Sequence, residues 1–454
     1  MDTAYVAAVV LTLLGTTMWL VYLGKPDRYS LTSPMGVFFA MWFVFLQLPG
    51  LILYPIHYTR FAHSGDFILA VAISPLIVLM VGGFIAGRNP NAWKRWWHSP
   101  TCIMSADFTL KNVFWALAIV TTLLVLIVRG GNVPLFQALA HLGAASYWFA
   151  VRWDFSRGIG FLGYLMHHSE RLFLPAALTA SLLLCLLYRR SKLVLSGLIL
   201  LSLFITSLSL HKVRPARLTA ALILAYMLFR HRKFRLVWIA PIVVAILLFP
   251  TLVHMYTYSQ QWDWGQIPGI YERLADRLFV APTACLAGHF AYVPDRSGGF
   301  LYGQTIATIA KLTGRPHYPI DALVAYYVGS APRLGSSIAN AAYPGTAWAD
   351  WGWFGIIGYS AILGLWLGFA DRLIRATPKT PIVMALAVCT TVQVLQMFGN
   401  PLQVWMVSFG GIANLLLLLI VYFRAARMPI RVIDDGHSRV NLVRAPPLAA
   451  LRTP

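Results

Sequence analysis

Acidic residues are scarce in this 454-residue chain, which has 15 aspartates and glutamates against 36 lysines and arginines. Only 11% of its residues are charged, whereas 59% are hydrophobic. A soluble protein of this length could not bury so much apolar surface, so the composition excludes a soluble class and indicates a membrane protein. The formal net charge of +21 would suggest a nucleic-acid partner in a soluble protein. In a membrane protein most of it follows from loop bias, and no nucleic-acid partner is expected.

Cysteines and the standard catalytic signatures are also scarce or missing. The four cysteines, Cys102, Cys185, Cys285 and Cys389, lie two in apolar runs and two in loops predicted on opposite sides of the membrane, which excludes a disulfide framework. The sequence contains no Walker-type phosphate loop, no HExxH, no GxSxG and no CxxC pair. We therefore expect neither a metal ion nor a nucleotide cofactor.

Apolar runs of the length that a bilayer demands recur along the chain. They predict an all-α polytopic integral membrane protein with about eleven transmembrane helices. The predicted spans are 4–23, 34–55, 67–87, 112–129, 171–188, 193–210, 213–229, 236–254, 353–370, 381–398 and 402–423.

Most lysines and arginines collect in one set of short loops, and by the positive-inside rule that side is cytoplasmic. The N-terminus is then outside and the C-terminus inside. Residues 1–254 carry the first eight helices, with an outer loop near 130–170, and residues 255–352 form one large outer loop. Residues 353–423 carry the last three helices, and 424–454 form a basic, poorly ordered cytoplasmic tail.

A second group of basic residues lies on the predicted outer side, against this bias. Its members include Arg152, Arg157, Arg171, Lys212, Arg214, Arg217, Arg273, Arg277 and Arg333. One explanation is ordinary ion pairing in solvated loops, with Asp154, Glu170, Glu272 and Asp276 as partners. The other is an anion site, because ionisable groups at a membrane boundary pair or bind something anionic, and the arginine fork suits phosphate oxygens. The connection HKVRPAR favours the anion site, since it has no acidic neighbour in sequence.

Several segments in the second half of the chain resemble a known family. They are the glycine-rich run GGFLYGQ beginning at Gly298, the helix-like TIATIAKLTGRPHYP, the small-residue turn at Gly335, and AAYPGTAWADWGWFG at the start of a span. This pattern resembles bacterial oligosaccharide repeat-unit polymerases of the Wzy type. Some members of that family carry an arginine, ten residues and a glycine in two outer loops, and this chain has Arg152 with Gly163 and Arg277 with Gly288.

The resemblance implies a GT-C-like membrane fold and an activity. Such a protein joins glycan units carried on undecaprenyl diphosphate at the periplasmic face of the bacterial inner membrane, with a chain-length regulator protein as a further partner. The reaction needs cations for the leaving diphosphate and a base for the attacking hydroxyl. The expected cationic residues are Arg152, Arg157, Arg214, Arg217, Arg273, Arg277 and Arg333. The candidate bases are Asp350, Asp276, Glu272 and His317.

Three other functions compete with this one. An O-antigen-ligase-like transferase would pass a finished glycan to another acceptor, but its usual histidine beside a polar residue in the large loop has no good match here. A flippase or transporter of lipid-linked oligosaccharide would place charges within the spans and show two similar halves. This chain is predicted to keep its charges at span ends, which favours an enzyme. A scaffolding membrane protein is the third alternative.

Overall fold

The computed structural model describes residues 2–23, 32–87, 92–140, 155, 160–188, 192–209, 213–230, 267–329, 341–433 and 440–443. Over these residues the chain is helical, which confirms the predicted class of polytopic helical membrane protein. The helices are α1 (Thr3–Leu23), α2 (Pro34–Tyr58), α3 (Ser64–Ala86), α4 (Ala92–His98), α5 (Ser105–Arg129), α6 (Pro134–Ala140), α7 (Gly160–Tyr188), α8 (Lys192–Ser207), α9 (Val213–Phe229), α10 (Ile267–Ala275), α11 (Ala281–Tyr292), α12 (Ala307–Leu312), α13 (Ile320–Tyr327), α14 (Tyr343–Ala376), α15 (Pro381–Val394) and α16 (Gly411–Ala425). Single π turns occur at Phe43–Gln47 and Tyr54–Tyr58 in α2, at Ser169–Phe173 in α7, between α10 and α11 (Asp276–Val280), and before α16 (Val404–Ser408).

Seven helices in the described part of the chain are long and apolar enough to cross a membrane. They are α1, α2, α3, α5, α7, α14, and the segment Pro381–Gly399 that contains α15. The predicted spans at 193–210 and 402–423 correspond to the shorter apolar helices α8 and α16, and the span at 213–229 corresponds to α9. The span at 236–254 lies outside the described residues, so the total of eleven stays a prediction.

The chain divides into two compact units, of which the first comprises Met1–Ala92, Glu272–Arg372 and Val394–Met406. Within it α3 and α14 approach closely through glycines. A Cβ atom added at Gly364 would lie 2.9 Å from the carbonyl oxygen of Val78, and one at Gly368 would lie 2.5 Å from that of Gly82. Helices in membranes pack in this way because small residues let two backbones come close enough for dispersion contacts.

Helix α14 is interrupted near its start. Trp351 (φ −142°, ψ 18°) and Gly352 (φ 57°, ψ −137°) leave helical geometry, so residues 343–350 form a short helix ahead of the long one. The indole Nε1 of Trp353 donates to Oδ1 of Asp66 at 3.0 Å, which ties the start of the long helix to α3. The interruption places Asp350 at the end of the short helix, where it is buried.

The second unit comprises Trp93–Tyr271, Leu373–Gln393 and Val407–Pro454. Asp107 lies in the first turn of α5, where its carboxylate accepts the Met104 N–H at 2.7 Å and also the Ile382 N–H of α15 at 3.2 Å. A small antiparallel sheet adds to the helices of this unit, with strands β1 (Cys102–Ile103), β2 (Ile430–Ile433) and β3 (Val440–Val443) in the order β1-β2-β3. Two of its strands therefore come from the predicted cytoplasmic tail.

Both predicted outer loops contain helices. The loop near 130–170 holds α6 and the beginning of α7, so the helix predicted to begin at residue 171 begins at Gly160. The described part of 255–352 holds α10 to α13, and its segment Leu278–Tyr292 is itself apolar. Hydropathy alone did not separate these short helices from true loop, because a bilayer-length window averages them with the polar residues around them.

Candidate functional site

Two oppositely charged side chains are buried together inside the second unit. Glu170 lies in the π turn of α7, and Arg214 lies in the first turn of α9. Nη1 of Arg214 pairs with Oε1 of Glu170, and the two side chains are only 4% and 2% exposed. The second carboxylate oxygen, Oε2, has no hydrogen-bond partner within the described part of the chain. Arg214 has no acidic neighbour in the sequence because its partner, Glu170, is distant along the chain.

Two more arginines surround the same carboxylate. Arg171 follows Glu170 in α7, and Arg217 lies one helical turn after Arg214 in α9, on the same face of that helix. Both act electrostatically on the Glu170 carboxylate. We call Glu170, Arg171, Arg214 and Arg217 the arginine cluster. Among the described residues, three guanidinium groups against one carboxylate give the cluster two positive charges in excess.

Arg171 is held by an aromatic ring rather than by an acid. Its Cζ atom lies 3.3 Å from the ring centroid of Phe409, which is the distance of a stacked cation–π contact. Its Nε and Nη1 atoms are buried and have no hydrogen-bond partner among the described residues. A buried donor without an acceptor costs free energy, and each such donor requires an explanation such as a bound ion or water. The cluster therefore has the charge and the free donors to bind an anion.

A second arrangement, in the first unit, contains two of the predicted bases. Asp350 is fully buried and accepts the N–H of Gly303 at 3.0 Å. It also accepts the N–H of Thr305 at 3.3 Å and its hydroxyl at 2.5 Å. We call residues 298–305 the glycine turn. Asp350 holds this turn by hydrogen bonds, which is what a buried carboxylate needs in order to stay in the interior.

His317 contacts the same turn from the surface side. Its Nε2 bonds to the carbonyl oxygen of Thr305 at 3.2 Å, and a carbonyl can only accept, so Nε2 carries the proton. In the neutral ring Nδ1 is then the nitrogen able to take up a proton, and the side chain is exposed. The neighbouring Tyr318 is not a base near neutral pH, because burial and a hydrogen bond with Tyr292 raise the pKa of Tyr318 to about 12. Asp350 and His317 are thus both joined to Thr305.

The other predicted site residues are either exposed or not described in full by the structure. Glu272 in α10 and Asp276 in the following π turn are exposed. Arg273 and Arg277 lie on the same stretch of helix, and the structure does not describe their side chains. Arg152, Arg157 and Arg333 lie outside the described residues. Among the described residues no three histidine, cysteine, aspartate or glutamate side chains come together as metal ligands.

Several residues of these arrangements were not chosen from the sequence. Arg171 and Glu170 were seen only as members of larger charged groups, and Phe409 was not singled out at all. The structure also places His63 between two aspartates, with Nδ1 3.1 Å from Oδ2 of Asp66 and Nε2 3.3 Å from Oδ1 of Asp295. Glu170 and Arg171 could have been found from the sequence, because a glutamate and an arginine side by side at the boundary of a predicted span are unusual.

Comparisons with protein-family models, with curated proteins and with solved structures find no match. The function must therefore be argued from the geometry of the two arrangements and from the sequence features described above.

Proposed function

We propose that this protein polymerises oligosaccharide repeat units carried on undecaprenyl diphosphate, at the periplasmic face of the inner membrane. The observation that carries the proposal is the arginine cluster. Two positive charges that no acid among the described residues compensates are costly when buried among apolar helices, unless an anion neutralises them. A lipid diphosphate carries its phosphates where the lipid chain enters the bilayer, and the predicted topology puts Arg214 and Arg217 at such a boundary. Arginine matches them with its rigid fork of donors.

The proposed reaction is a glycosyl transfer. A hydroxyl oxygen of the new lipid-linked unit attacks the anomeric carbon of the growing chain, and the bond from that carbon to the diphosphate oxygen breaks. The diphosphate leaves with the bonding electrons, and the hydroxyl proton passes to a base. Guanidinium groups placed where this negative charge develops lower the barrier. The activated lipid-linked donor supplies the driving force, so the step requires no nucleotide.

The four candidate bases differ in what their surroundings allow. Asp350 is buried, and its oxygens accept three hydrogen bonds from the glycine turn, which favours a positioning role. Glu272 and Asp276 are exposed carboxylates. His317 is exposed and presents Nδ1 as the proton acceptor, so its geometry fits general-base work better than that of the other three.

The test uses a strain that lacks the protein and is complemented with variants. We expect Arg217→Ala to leave glycan of one repeat unit where the wild type makes long polymer. Arg230→Ala is the matched control, because Arg230 lies exposed at the far end of the same helix. Polymer length is measured by gel electrophoresis of the extracted glycan, and variant protein is quantified in the membrane. Long polymer with normal amounts of Arg217→Ala would refute the proposal.

One observation favours a second candidate, a carrier of lipid-linked glycan. Glu170 and Arg171 lie inside the 29-residue apolar helix α7 rather than at its end, as a transporter would have them. A carrier defect would trap lipid-linked units on the cytoplasmic side, whereas a polymerase defect would leave single units on the finished surface glycan. The same deletion strain distinguishes the two outcomes.

A further inference from the structure

The four members of the arginine cluster are not equivalent, since only one arginine has the carboxylate as a direct partner. Glu170 pairs with Arg214, and both side chains are almost completely buried. Arg171 is adjacent to Glu170 in sequence but makes no ion pair with it, and its Nε and Nη1 donors stay buried and unpaired within the described part of the chain. The charge of Arg214 is therefore compensated by Glu170, whereas no acid in the described part of the chain pairs with Arg171.

The stacking of Arg171 on Phe409 leaves its hydrogen-bonding edge free. The Cζ atom of Arg171 lies over the ring, and the five N–H groups of an arginine point outward in the guanidinium plane. Phe409 itself is fixed by its place in the chain. It follows the π turn Val404–Ser408 and precedes Gly410, the left-handed residue from which α16 starts. The contact with the ring thus positions the guanidinium without using any of its N–H donors.

We propose that Arg171, carried on the ring of Phe409, is the residue that contacts the anion, whereas Arg214 is held by Glu170 as a fixed counter-charge. The unpaired donors Nε and Nη1 lie on different edges of the guanidinium, so a ligand that satisfies both has several acceptor oxygens, as phosphate and diphosphate groups do. This assignment deepens the proposed function and rests on it for the natural ligand. It adds Arg171 and Phe409 to the residues that the sequence singled out.

The direct test measures anion binding by the full chain in nanodiscs, with inorganic pyrophosphate as the probe. We expect Arg171→Met to weaken binding about tenfold or more, because a planar charge-assisted pair of hydrogen bonds is lost. Arg171→Lys keeps the charge without the fork and should recover only part of the loss. Arg230→Met is the matched control, because Arg230 also lies over a phenylalanine, 5.9 Å from the ring of Phe229. Its binding should equal that of the wild type.

Two further variants separate orientation from charge. Phe409→Leu keeps an apolar side chain of similar bulk but removes the ring face, so affinity should fall several-fold. The double variant, Phe409→Leu with Arg171→Met, should bind pyrophosphate about as weakly as Arg171→Met alone, because the ring acts through the arginine. Glu170→Gln removes the competing carboxylate and should increase affinity several-fold, because the excess of positive charge in the cluster rises.

The source of the anion is decided by comparing probes. Nanodiscs that contain undecaprenyl diphosphate should compete with pyrophosphate if the ligand is a lipid headgroup, and nanodiscs of phosphatidylglycerol alone should not. Pyrophosphate binding that undecaprenyl diphosphate does not reduce would identify a free phosphate ligand instead. Wild-type affinity in both Arg171→Met and Phe409→Leu would overturn the assignment, as would a wild type that binds neither probe. Those results leave the proposed function to be judged by polymer length, which is measured separately.

Discussion

Glu170 and Asp350 are both buried carboxylates, and the difference between their partners is the most informative comparison in the molecule. Glu170 is surrounded by guanidinium groups, of which only Arg214 pairs with it directly. Asp350 accepts three hydrogen bonds from uncharged donors of the glycine turn. The first arrangement has surplus charge and unpaired donors, and the second is satisfied within itself.

This difference distinguishes residues that could bind a ligand (the site) from residues that only stabilise the fold (the scaffold). Polar groups that serve only the fold are normally satisfied by one another, because an unpaired buried donor or charge destabilises the folded state. The hydrogen bonds of Asp350 fit that pattern and fix the backbone of the glycine turn. The unpaired donors of Arg171 do not fit it, which points to a ligand. Each of the following predictions tests whether that division is correct.

The largest effect is expected for Glu170→Ala. The substitution leaves Arg214 buried without its carboxylate and adjacent to two further arginines. Breaking a buried ion pair from one side destabilises a protein by about 3–5 kcal/mol. We expect a clear fall in the thermal unfolding midpoint of the purified protein. Added pyrophosphate should restore the midpoint of Glu170→Ala more than it raises that of the wild type, since it replaces the missing negative charge.

Two controls accompany this prediction. Glu272→Ala removes the same kind of side chain from an exposed position and should change stability little. Combining Glu170→Ala with Arg214→Met removes both partners of the pair and should recover much of the loss, because apolar replacements of a buried pair are often tolerated. An unfolding midpoint for Glu170→Ala equal to that of the wild type would mean that the cluster is already neutralised by other groups.

A somewhat smaller effect is expected for Asp350→Ala. The variant leaves the N–H groups of Gly303 and Thr305 and one hydroxyl without their acceptor, and an unsatisfied buried donor costs about 1–3 kcal/mol. Asp350→Asn keeps one acceptor oxygen and should lose less. Stability is read from thermal unfolding, and turn integrity from proteolysis near residues 298–305. A stable Asp350→Asn that makes no polymer would instead support the carboxylate as a base and undo the comparison with Glu170.

The class of the protein could be predicted from the sequence, and Arg214 and Arg217 could be singled out, for identifiable reasons. Hydropathy reports burial in lipid directly, and the helices α1, α2 and α3 match the spans predicted for them within a few residues. Arg214 and Arg217 are candidates from the sequence because three basic residues lie close together in a short connection. The structure places both in a buried charged cluster.

The pairings could not be predicted, because they join residues that are distant in sequence. Nothing local to Glu170 indicates that Arg214 will reach it, and nothing local to Asp350 indicates that Thr305 will donate to it. Phe409 could not be singled out for the same reason. An aromatic residue near a span is common, and only the structure shows that Arg171 lies over its ring. The short helices α10 and α11 were missed because their apolar residues are too few to register as spans.

The smallest effect separates the shape of the glycine turn from its hydrogen bonds. Gly352 has φ +57°, and a Cβ atom there would lie 2.9 Å from Cζ of Phe300, which belongs to the turn. Gly314 has φ +67°, and a Cβ atom there would meet nothing within 4 Å. Gly314→Ala should therefore show the cost of the left-handed backbone alone, about 1 kcal/mol. Gly352→Ala should lose somewhat more, because its φ of 57° and ψ of −137° lie outside the left-handed helical region and because the Phe300 ring must shift.

The difference between the two unfolding midpoints reports the backbone cost at Gly352 together with the packing of the turn against the interruption of α14. Equal midpoints would mean that the ring of Phe300 moves aside freely, and the turn would then be fixed by its hydrogen bonds, which include those of Leu301 N–H and Tyr302 N–H to the carbonyl oxygens of Ala349 and Asp350. A larger loss in Gly352→Ala would mean that packing and hydrogen bonding fix the turn together. In neither variant should pyrophosphate affinity change, because the arginine cluster contains no residue of this turn. A change in affinity would show that the two buried carboxylates are coupled, and the division between site and scaffold would have to be abandoned.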